Sequence, residues 1–168
     1  GIGSALLLDG QVFKGSRGNA MEMGHMLAQG TSGLETLIGR KGILTIMARM
    51  IAAYPDKAGS LIGVELGTHL LVDTAKAGNP VSLMVFEEVG RILGEAIVST
   101  VRILDINTVY FGGGISAGLE FMMPTLEHTI KQYLTPYYVK DLTLKKATLE
   151  NNAGTLGAAA LCFMGSGL

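Results

Sequence analysis

The segment from Thr108 to Leu149 constrains the fold more than any other part of this sequence. It begins with a short apolar run, Thr108–Phe111, and the three consecutive glycines Gly112–Gly114 follow directly. Apolar residues at helical spacing come next, up to Leu134, and Leu142–Leu149 then alternates in the manner of a strand. A strand, a helix and a second strand in this order are typical of α/β layers. The pattern predicts an α/β fold with at least one parallel pair of strands.

The first half of the chain predicts a hairpin followed by helices. Asp9-Gly10 separates the short segments Ser4–Leu8 and Gln11–Lys14, and this dipeptide favours a tight hairpin turn. Apolar residues at helical spacing predict helices over Leu34–Tyr54 and Gly67–Ala77.

A long apolar stripe predicts the next helix, with Ser82 as its N-cap and its end at Asp105. In the helix after the glycines, Pro124 is tolerated if it lies in the first turn. The small residues of Thr155–Met164 predict a closely packed final helix.

The composition narrows the class of protein. The 168 residues are 48% apolar and 16% charged, which suits one globular domain spanning 1–168. The net charge is −1, so no basic surface indicates nucleic acid, and no apolar run is long enough for a membrane span. We expect the single cysteine, Cys162, to be buried, and low cysteine usage suits the reducing cytoplasm. Because the chain begins at Gly1 and not at Met, we expect a fragment or a processed chain.

Two glycine-containing segments are candidate binding sites. At Gly112–Gly114 the backbone is open to a ligand, and exposed N–H groups before a helix favour phosphate; the alternative is a tight strand-to-helix turn. In Glu22-Met23-Gly24-His25, a carboxylate and an imidazole three residues apart suit the hydroxyls of a sugar. The alternative there is an exposed Glu22 and a packed His25.

Two further segments give weaker signals. Glu35 stands at a predicted helix start, where the helix dipole alone favours a carboxylate. Gly1-Ile2-Gly3-Ser4 precedes the first strand, but turns use such glycines freely. No Cys/His cluster has the spacing of zinc ligands.

The order of these segments resembles that of the ROK family of sugar kinases and sugar-responsive repressors. Its motifs are matched, in the family's order, by GIGSALLLDGQVFKG, EMGH, GLET, VYFGGGIS and NAGTLGAAAL. The resemblance runs from Gly1 to the C-terminal helix. It implies the C-terminal lobe of a two-lobed actin/hexokinase-like, ribonuclease H-like fold, with the N-terminal lobe absent from this chain.

The resemblance also implies roles for individual residues. It assigns Glu22, His25 and Glu35 to sugar hydroxyls. It assigns two further groups to ATP, which the whole protein would bind with Mg²⁺. These groups are the tail of a phosphate loop, Gly1 and Gly3, and the three glycines Gly112, Gly113 and Gly114.

The sequence departs from the family pattern in two ways. The family usually has a loop with three cysteines that binds zinc together with the motif histidine, but only Met26–Ser32 separates His25 from Gly33 and contains no cysteine. We therefore expect no zinc at this place, and either a looser sugar site or a changed sugar preference. The second departure is the missing lobe, which in the family supplies the aspartate that acts as general base. We therefore expect no catalytic residue in this chain and no kinase activity from it alone.

Three hypotheses follow for the function. The leading one is a lobe of an ATP-dependent hexose or amino-sugar kinase, homodimeric and cytoplasmic. The second is the sugar-sensing lobe of a ROK repressor, which would bind DNA only through a helix-turn-helix upstream of this chain. The third is a degenerate lobe kept as an interaction surface, against which the intact Glu22 and His25 argue.

Overall fold

The computed structural model describes residues 1–149 and 152–165. The helices are α1 (Leu34–Ile38), α2 (Arg40–Ala53), α3 (Pro55–Ala58), α4 (Thr68–Lys76), α5 (Pro80–Leu104), α6 (Leu119–Tyr133), α7 (Pro136–Val139) and α8 (Ala153–Gly165). The strands are β1 (Leu7–Leu8), β2 (Gln11–Val12), β3 (Leu27–Gln29), β4 (Ser32–Gly33), β5 (Thr108–Phe111) and β6 (Thr143–Lys146).

The strands pair in chain order as β1–β2, β3–β4 and β5–β6. The first pair is the predicted hairpin, in which Asp9 and Gly10 both have positive φ, 51° and 76°. Positive φ at both central residues suits the twist of a two-residue hairpin. The pair β5–β6 is parallel, with a register from Thr108 opposite Thr143 to Phe111 opposite Lys146. This confirms the parallel pair predicted from the strand–helix–strand pattern.

Helices α5 and α6 pack closely because α5 has glycines where they meet. A Cβ atom on Gly90 would lie 2.6 Å from the carbonyl oxygen of Met122, and one on Gly94 would lie 2.9 Å from Cβ of Thr129. The contacts advance in the same order along both helices, from Gly90 with Met122 to Gly94 with Thr129. The two helices therefore run in the same direction, and β5 lies between them in the sequence. Each α5 turn contributes to the core, whose buried α5 residues include Val81, Val85, Phe86, Val89, Ile92, Leu93, Ala96, Ile97, Val98 and Val101.

Three local predictions differ from the structure. The N-cap of α5 is Asn79 and not Ser82: Asn79 Oδ1 accepts the Ser82 N–H at 3.1 Å, and Pro80 occupies the first turn. The helix predicted over Leu34–Tyr54 is interrupted at Gly39, whose extended backbone separates α1 from α2. Pro124 lies in the second turn of α6 and not in the first.

Helix α8 is exposed along the part whose side chains the structure describes. Leu156, Leu161 and Phe163 are 51%, 70% and 69% exposed, and Cys162 is also exposed. The prediction of a buried cysteine is therefore wrong, because the apolar run around it faces away from the core. Within residues 1–149 and 152–165, no helix has the length and apolar character to cross a membrane.

Candidate functional site

The Glu35 carboxylate joins two distant parts of the chain. Glu35 is in the first turn of α1 and is half-buried. Its Oε2 atom accepts a hydrogen bond from the backbone N–H of Ile2 at 2.8 Å, across 33 positions of sequence. The carboxylate predicted from its place at a helix start therefore has a tertiary partner as well.

Glycines surround this carboxylate. A Cβ atom on Gly1 would lie 3.2 Å from Glu35 Oε2, and one on Gly24 would lie 3.3 Å from the same atom. A Cβ on Gly39 would lie 3.0 Å from Cγ of Glu35. These positions leave room for three backbone segments to approach one side chain, which larger residues would prevent.

The segment Glu22–His25 forms a tight turn beside Glu35. Residues Met23–His25 are one turn of 3₁₀ helix, and the His25 N–H donates to the Glu22 carbonyl at 3.0 Å. Both Glu22 and His25 are exposed, whereas Gly24 between them is buried. A Cβ on Gly24 would lie 2.2 Å from the Ile2 carbonyl oxygen, so the turn lies directly against the Gly1–Ser4 segment. His25 is therefore not the packed histidine of the alternative interpretation.

The hairpin β3–β4 connects this turn to α1. It occupies the place where the family resemblance implies a cysteine-rich zinc loop, and the Leu34 N–H donates to the Met26 carbonyl at 2.9 Å. Among residues 1–149 and 152–165, no group of three His, Cys, Asp or Glu side chains is placed to hold a metal ion. The donors near His25 do not fit the zinc site, and the absence of zinc stays a prediction.

The electrostatics of Glu35 reflect these neighbours. The hydrogen bond from the Ile2 backbone lowers the pKa of Glu35 below its ordinary value, and His25 acts in the same direction. Partial burial opposes them. Glu35 is consequently a carboxylate at neutral pH, able to accept hydrogen bonds from hydroxyl groups.

The glycine turn Gly112–Gly114 is at the carboxyl ends of the parallel strands. Gly113 has a φ of +69° and begins a 3₁₀ helix over Gly114–Gly118. Its carbonyl accepts both the N–H and the Oγ–H of Ser116, at 3.2 and 2.8 Å. Cβ atoms on Gly113 or Gly114 would meet no atom of the described residues within 4 Å. The hydrogen bonds from Ser116 fix the turn, and the space beside Gly113 and Gly114 is open. The turn lies at the sheet edge where ligands of α/β proteins usually bind.

The structure brings part of the predicted site together. Gly1 and Gly24 lie against the Glu35 carboxylate, and Glu22 and His25 are in the same turn as Gly24, whereas the glycine turn belongs to a different element. Gly3 is exposed, with no atom near its added Cβ. Sequence reasoning missed the roles of Ile2, which acts through its backbone, and of Gly24. The one signal in the sequence is that Ile2 stands between Gly1 and Gly3, because glycines allow another segment to come close to the backbone.

The chain is similar to known proteins over nearly its whole length. The model of the ROK family matches residues 1–164, and the chain belongs to the ROK family. The solved structures similar to it include a ROK family glucokinase and a ROK family transcriptional regulator, and the chain has the actin/hexokinase-like fold class.

Three relatives illustrate the range of the family. The chain is 27% identical to a glucokinase of Thermotoga maritima, over 96% of this chain and 55% of the relative. It is 25% identical to a xylose repressor of Caldicellulosiruptor bescii, over 96% and 43% respectively. The crystal structure of a candidate sugar kinase from Cytophaga hutchinsonii superimposes with a TM-score of 0.88 at 36% identity, over 95% of this chain and 53% of the other. The chain thus spans about half the length of the relatives it matches.

Proposed function

We propose that residues 1–168 form the C-terminal lobe of an ATP-dependent hexose or amino-sugar kinase. In this proposal Glu22, His25 and Glu35 bind sugar hydroxyls. The nucleotide lies along two backbone segments of the lobe. These segments contain Gly1 and Gly3, and Gly112, Gly113 and Gly114.

The observation that supports the sugar site most is the arrangement around Glu35. Its carboxylate has two oxygens with several acceptor positions, of which Oε2 receives the Ile2 N–H. The group can therefore accept sugar hydroxyls as well. The exposed His25 can donate or accept, and the exposed Glu22 adds a second carboxylate in the adjoining turn. Two carboxylates that accept hydrogen bonds and an imidazole that can donate or accept them suit a ligand with several hydroxyl groups.

The glycine turn supports the nucleotide part of the proposal. Gly113 adopts a positive φ that favours glycine, and open space lies above Gly113 and Gly114. Phosphate groups can approach such a backbone and accept hydrogen bonds from its N–H groups. The relative from Thermotoga maritima is named a glucokinase, which is consistent with phosphoryl transfer.

The exposed apolar residues support the proposal that an N-terminal lobe completes the site. Helix α8 is apolar in composition and exposed, and a helix that is apolar on all sides is normally buried. The hairpin β1–β2 also exposes large apolar side chains, namely Leu7, Leu8, Val12 and Phe13. Exposed apolar surfaces of this kind are typical of covered interfaces. The relatives are about twice as long as this chain, which leaves enough residues for a lobe that covers it.

The missing lobe would also supply the general base. Phosphoryl transfer depends on positioning the attacking hydroxyl and on stabilising charge between the two lobes. No acidic residue of this chain matches the family's base by motif, so the 168-residue chain alone should be inactive. Sugar-dependent ATP turnover by the purified chain would contradict this statement. The homodimer, Mg²⁺ and the cytoplasmic location are parts of the proposal that rest on the resemblance.

Isothermal titration calorimetry of the full-length protein tests the sugar site. Glucose, N-acetylglucosamine and N-acetylmannosamine are titrated into the wild type and Glu22→Ala, with the exposed Glu120→Ala on α6 as a matched control. We expect one sugar to bind the wild type and the control, and Glu22→Ala to lose most of that affinity. If no sugar binds the wild type, the site assignments are wrong.

The second candidate is the sugar-sensing lobe of a repressor. It is favoured by the identity to a xylose repressor over nearly the whole chain and by the hairpin β3–β4 in place of a cysteine-rich loop. A coupled assay for ADP release separates the two candidates. A kinase releases ADP only when its sugar is present, whereas a sensor binds the same sugar without turnover. Reading the sequence upstream of Gly1 for a helix-turn-helix gives an independent answer.

A further inference from the structure

We propose that Glu35 is a positioning residue that fixes the Gly1–Ser4 segment to the sugar-binding turn, so that nucleotide binding depends on Glu35 even without sugar. This inference rests on the proposed function, because it takes Gly1 and Gly3 as part of the nucleotide site. It gives Glu35 a second role, in addition to its contact with the sugar.

Three contacts hold the Gly1–Ser4 segment. The Ile2 N–H donates to Glu35 Oε2 at 2.8 Å. The Ile2 carbonyl lies against Gly24, where an added Cβ would be only 2.2 Å away. The Ser4 hydroxyl donates to the Met21 carbonyl at 2.5 Å. The segment is therefore attached to α1 and to both sides of the turn that contains Glu22.

Two side chains make these contacts, Glu35 and Ser4, and of the two only Glu35 is assigned to the proposed sugar site. The hydrogen bond from Ile2 has a charged acceptor, and such bonds are stronger than hydrogen bonds between neutral groups. Without it, the first residues of the segment lose a fixed partner. A backbone segment that positions phosphate by its N–H groups binds less tightly when it must first be ordered.

Gly24 acts on the same contact from the opposite side. It has no side chain that could touch a sugar, yet a methyl group there would meet the Ile2 carbonyl at 2.2 Å and Glu35 Oε2 at 3.3 Å. Gly24→Ala must therefore displace Ile2 from Glu35. This variant separates positioning from direct sugar contact.

The experiment measures the affinity of the full-length protein for the β,γ-imido analogue of ATP with Mg²⁺, in the absence of sugar. The variants are Glu35→Ala, Glu35→Gln and Gly24→Ala, and the exposed Glu65→Ala is the control. Hydrogen exchange of the peptide that contains residues 2–6 is followed in the unliganded proteins. Glucose, N-acetylglucosamine and N-acetylmannosamine are titrated separately.

We expect Glu35→Ala and Gly24→Ala to weaken binding of the analogue about tenfold, the usual effect of losing a charged hydrogen bond. The same variants should speed exchange of the 2–6 peptide. Glu35→Gln keeps an acceptor oxygen and should retain much of the affinity and protection. Glu65→Ala, at an exposed position outside both proposed sites, should bind the analogue and exchange as the wild type does.

Unchanged analogue affinity and unchanged exchange in Glu35→Ala and Gly24→Ala would overturn the inference, leaving Glu35 as a sugar ligand only. If the wild type binds a sugar and the analogue, that result leaves the proposed function intact. If the wild type binds neither, the proposed function fails, and the coupling to nucleotide fails with it. If Glu35→Ala does not fold, Gly24→Ala decides by the same two readouts.

Discussion

Replacing Gly118 by alanine tests how the glycine turn is supported. Gly118 is the N-cap of α6, and a Cβ atom there would lie 2.2 Å from Cε1 of Phe86. Ordinary contact begins near 3.4 Å, so the ring must move by roughly 1 Å in a core that is packed like a crystal. Phe86 is 4% exposed and stacks on Phe121 at 5.4 Å, so the ring has little space to enter.

The free energy of unfolding should fall by about 2–3 kcal/mol in Gly118→Ala. Overpacking of this kind costs about 1–3 kcal/mol. Alanine is also a poorer N-cap than glycine, by about 0.5–1 kcal/mol. The measurement is equilibrium unfolding in urea followed by circular dichroism, with the exposed neighbour Ala117→Ser as control, expected within about 0.5 kcal/mol of the wild type.

A double-mutant cycle with Phe86→Leu checks the mechanism. Leucine lacks the ring atoms that the new methyl group meets. The loss of unfolding free energy in the double mutant should therefore be smaller than the sum of the two single losses, by about 1 kcal/mol or more. The reasoning is refuted if Gly118→Ala unfolds at the urea concentration of the wild type. Strict additivity in the cycle would refute it as well.

Three further predictions concern the core, a helix cap and the pH dependence. Leu126→Ala, at a fully buried position of α6, should lower the free energy of unfolding by about 3 kcal/mol in urea, and a value below about 1 kcal/mol would contradict the packing described. Asn79→Ala should cost about 1–2 kcal/mol because it removes the acceptor of the Ser82 N–H, whereas Asn79→Ser should recover much of this loss. Because the folded state lowers the pKa of Glu35, the stability from its bond to Ile2 is present above the unfolded pKa and is lost as the pH falls below about 4. Urea midpoints from pH 7 to 3 should therefore decline more steeply for the wild type than for Glu35→Gln, and parallel declines would count against the bond.

Much of the fold could be predicted because short segments encode it. The dipeptide Asp9-Gly10 specifies its own hairpin turn, since both residues tolerate positive φ. The alternation of strand, helix and strand predicted the parallel pair β5–β6. In each case the residues that decide the structure are neighbours in sequence.

The errors arose where a choice depends on the surroundings. Asn79 and Ser82 are both good N-cap residues, and the helix begins at Asn79 because Pro80 suits the first turn and the Asn79 amide also donates to the Ala58 carbonyl. The apolar neighbours of Cys162 predict a buried side chain, but the structure leaves it exposed. Composition shows that a helix is apolar and does not show which part of the protein packs against it.

The candidate site was predicted only as separate motifs. Glu35 could equally have been a helix-start carboxylate, and its contact with Ile2 joins residues 33 positions apart. The role of Gly24 was also hidden, because its tight contact involves a backbone carbonyl that any residue at position 2 would provide. Long-range backbone contacts leave no trace in the composition or in the local sequence pattern.

The bond between Ile2 and Glu35 has a consequence for local opening. It closes a 33-residue loop in which the turn and the hairpin β3–β4 are mostly exposed, whereas the packing of α5 on α6 lies outside that loop. Proteins open most readily where few buried contacts hold the chain. This edge can therefore open and close while the helical core remains intact. A ligand that bridges Glu35 and the Gly1–Ser4 segment would suppress these openings and would slow amide exchange there without a matching slowing in α5.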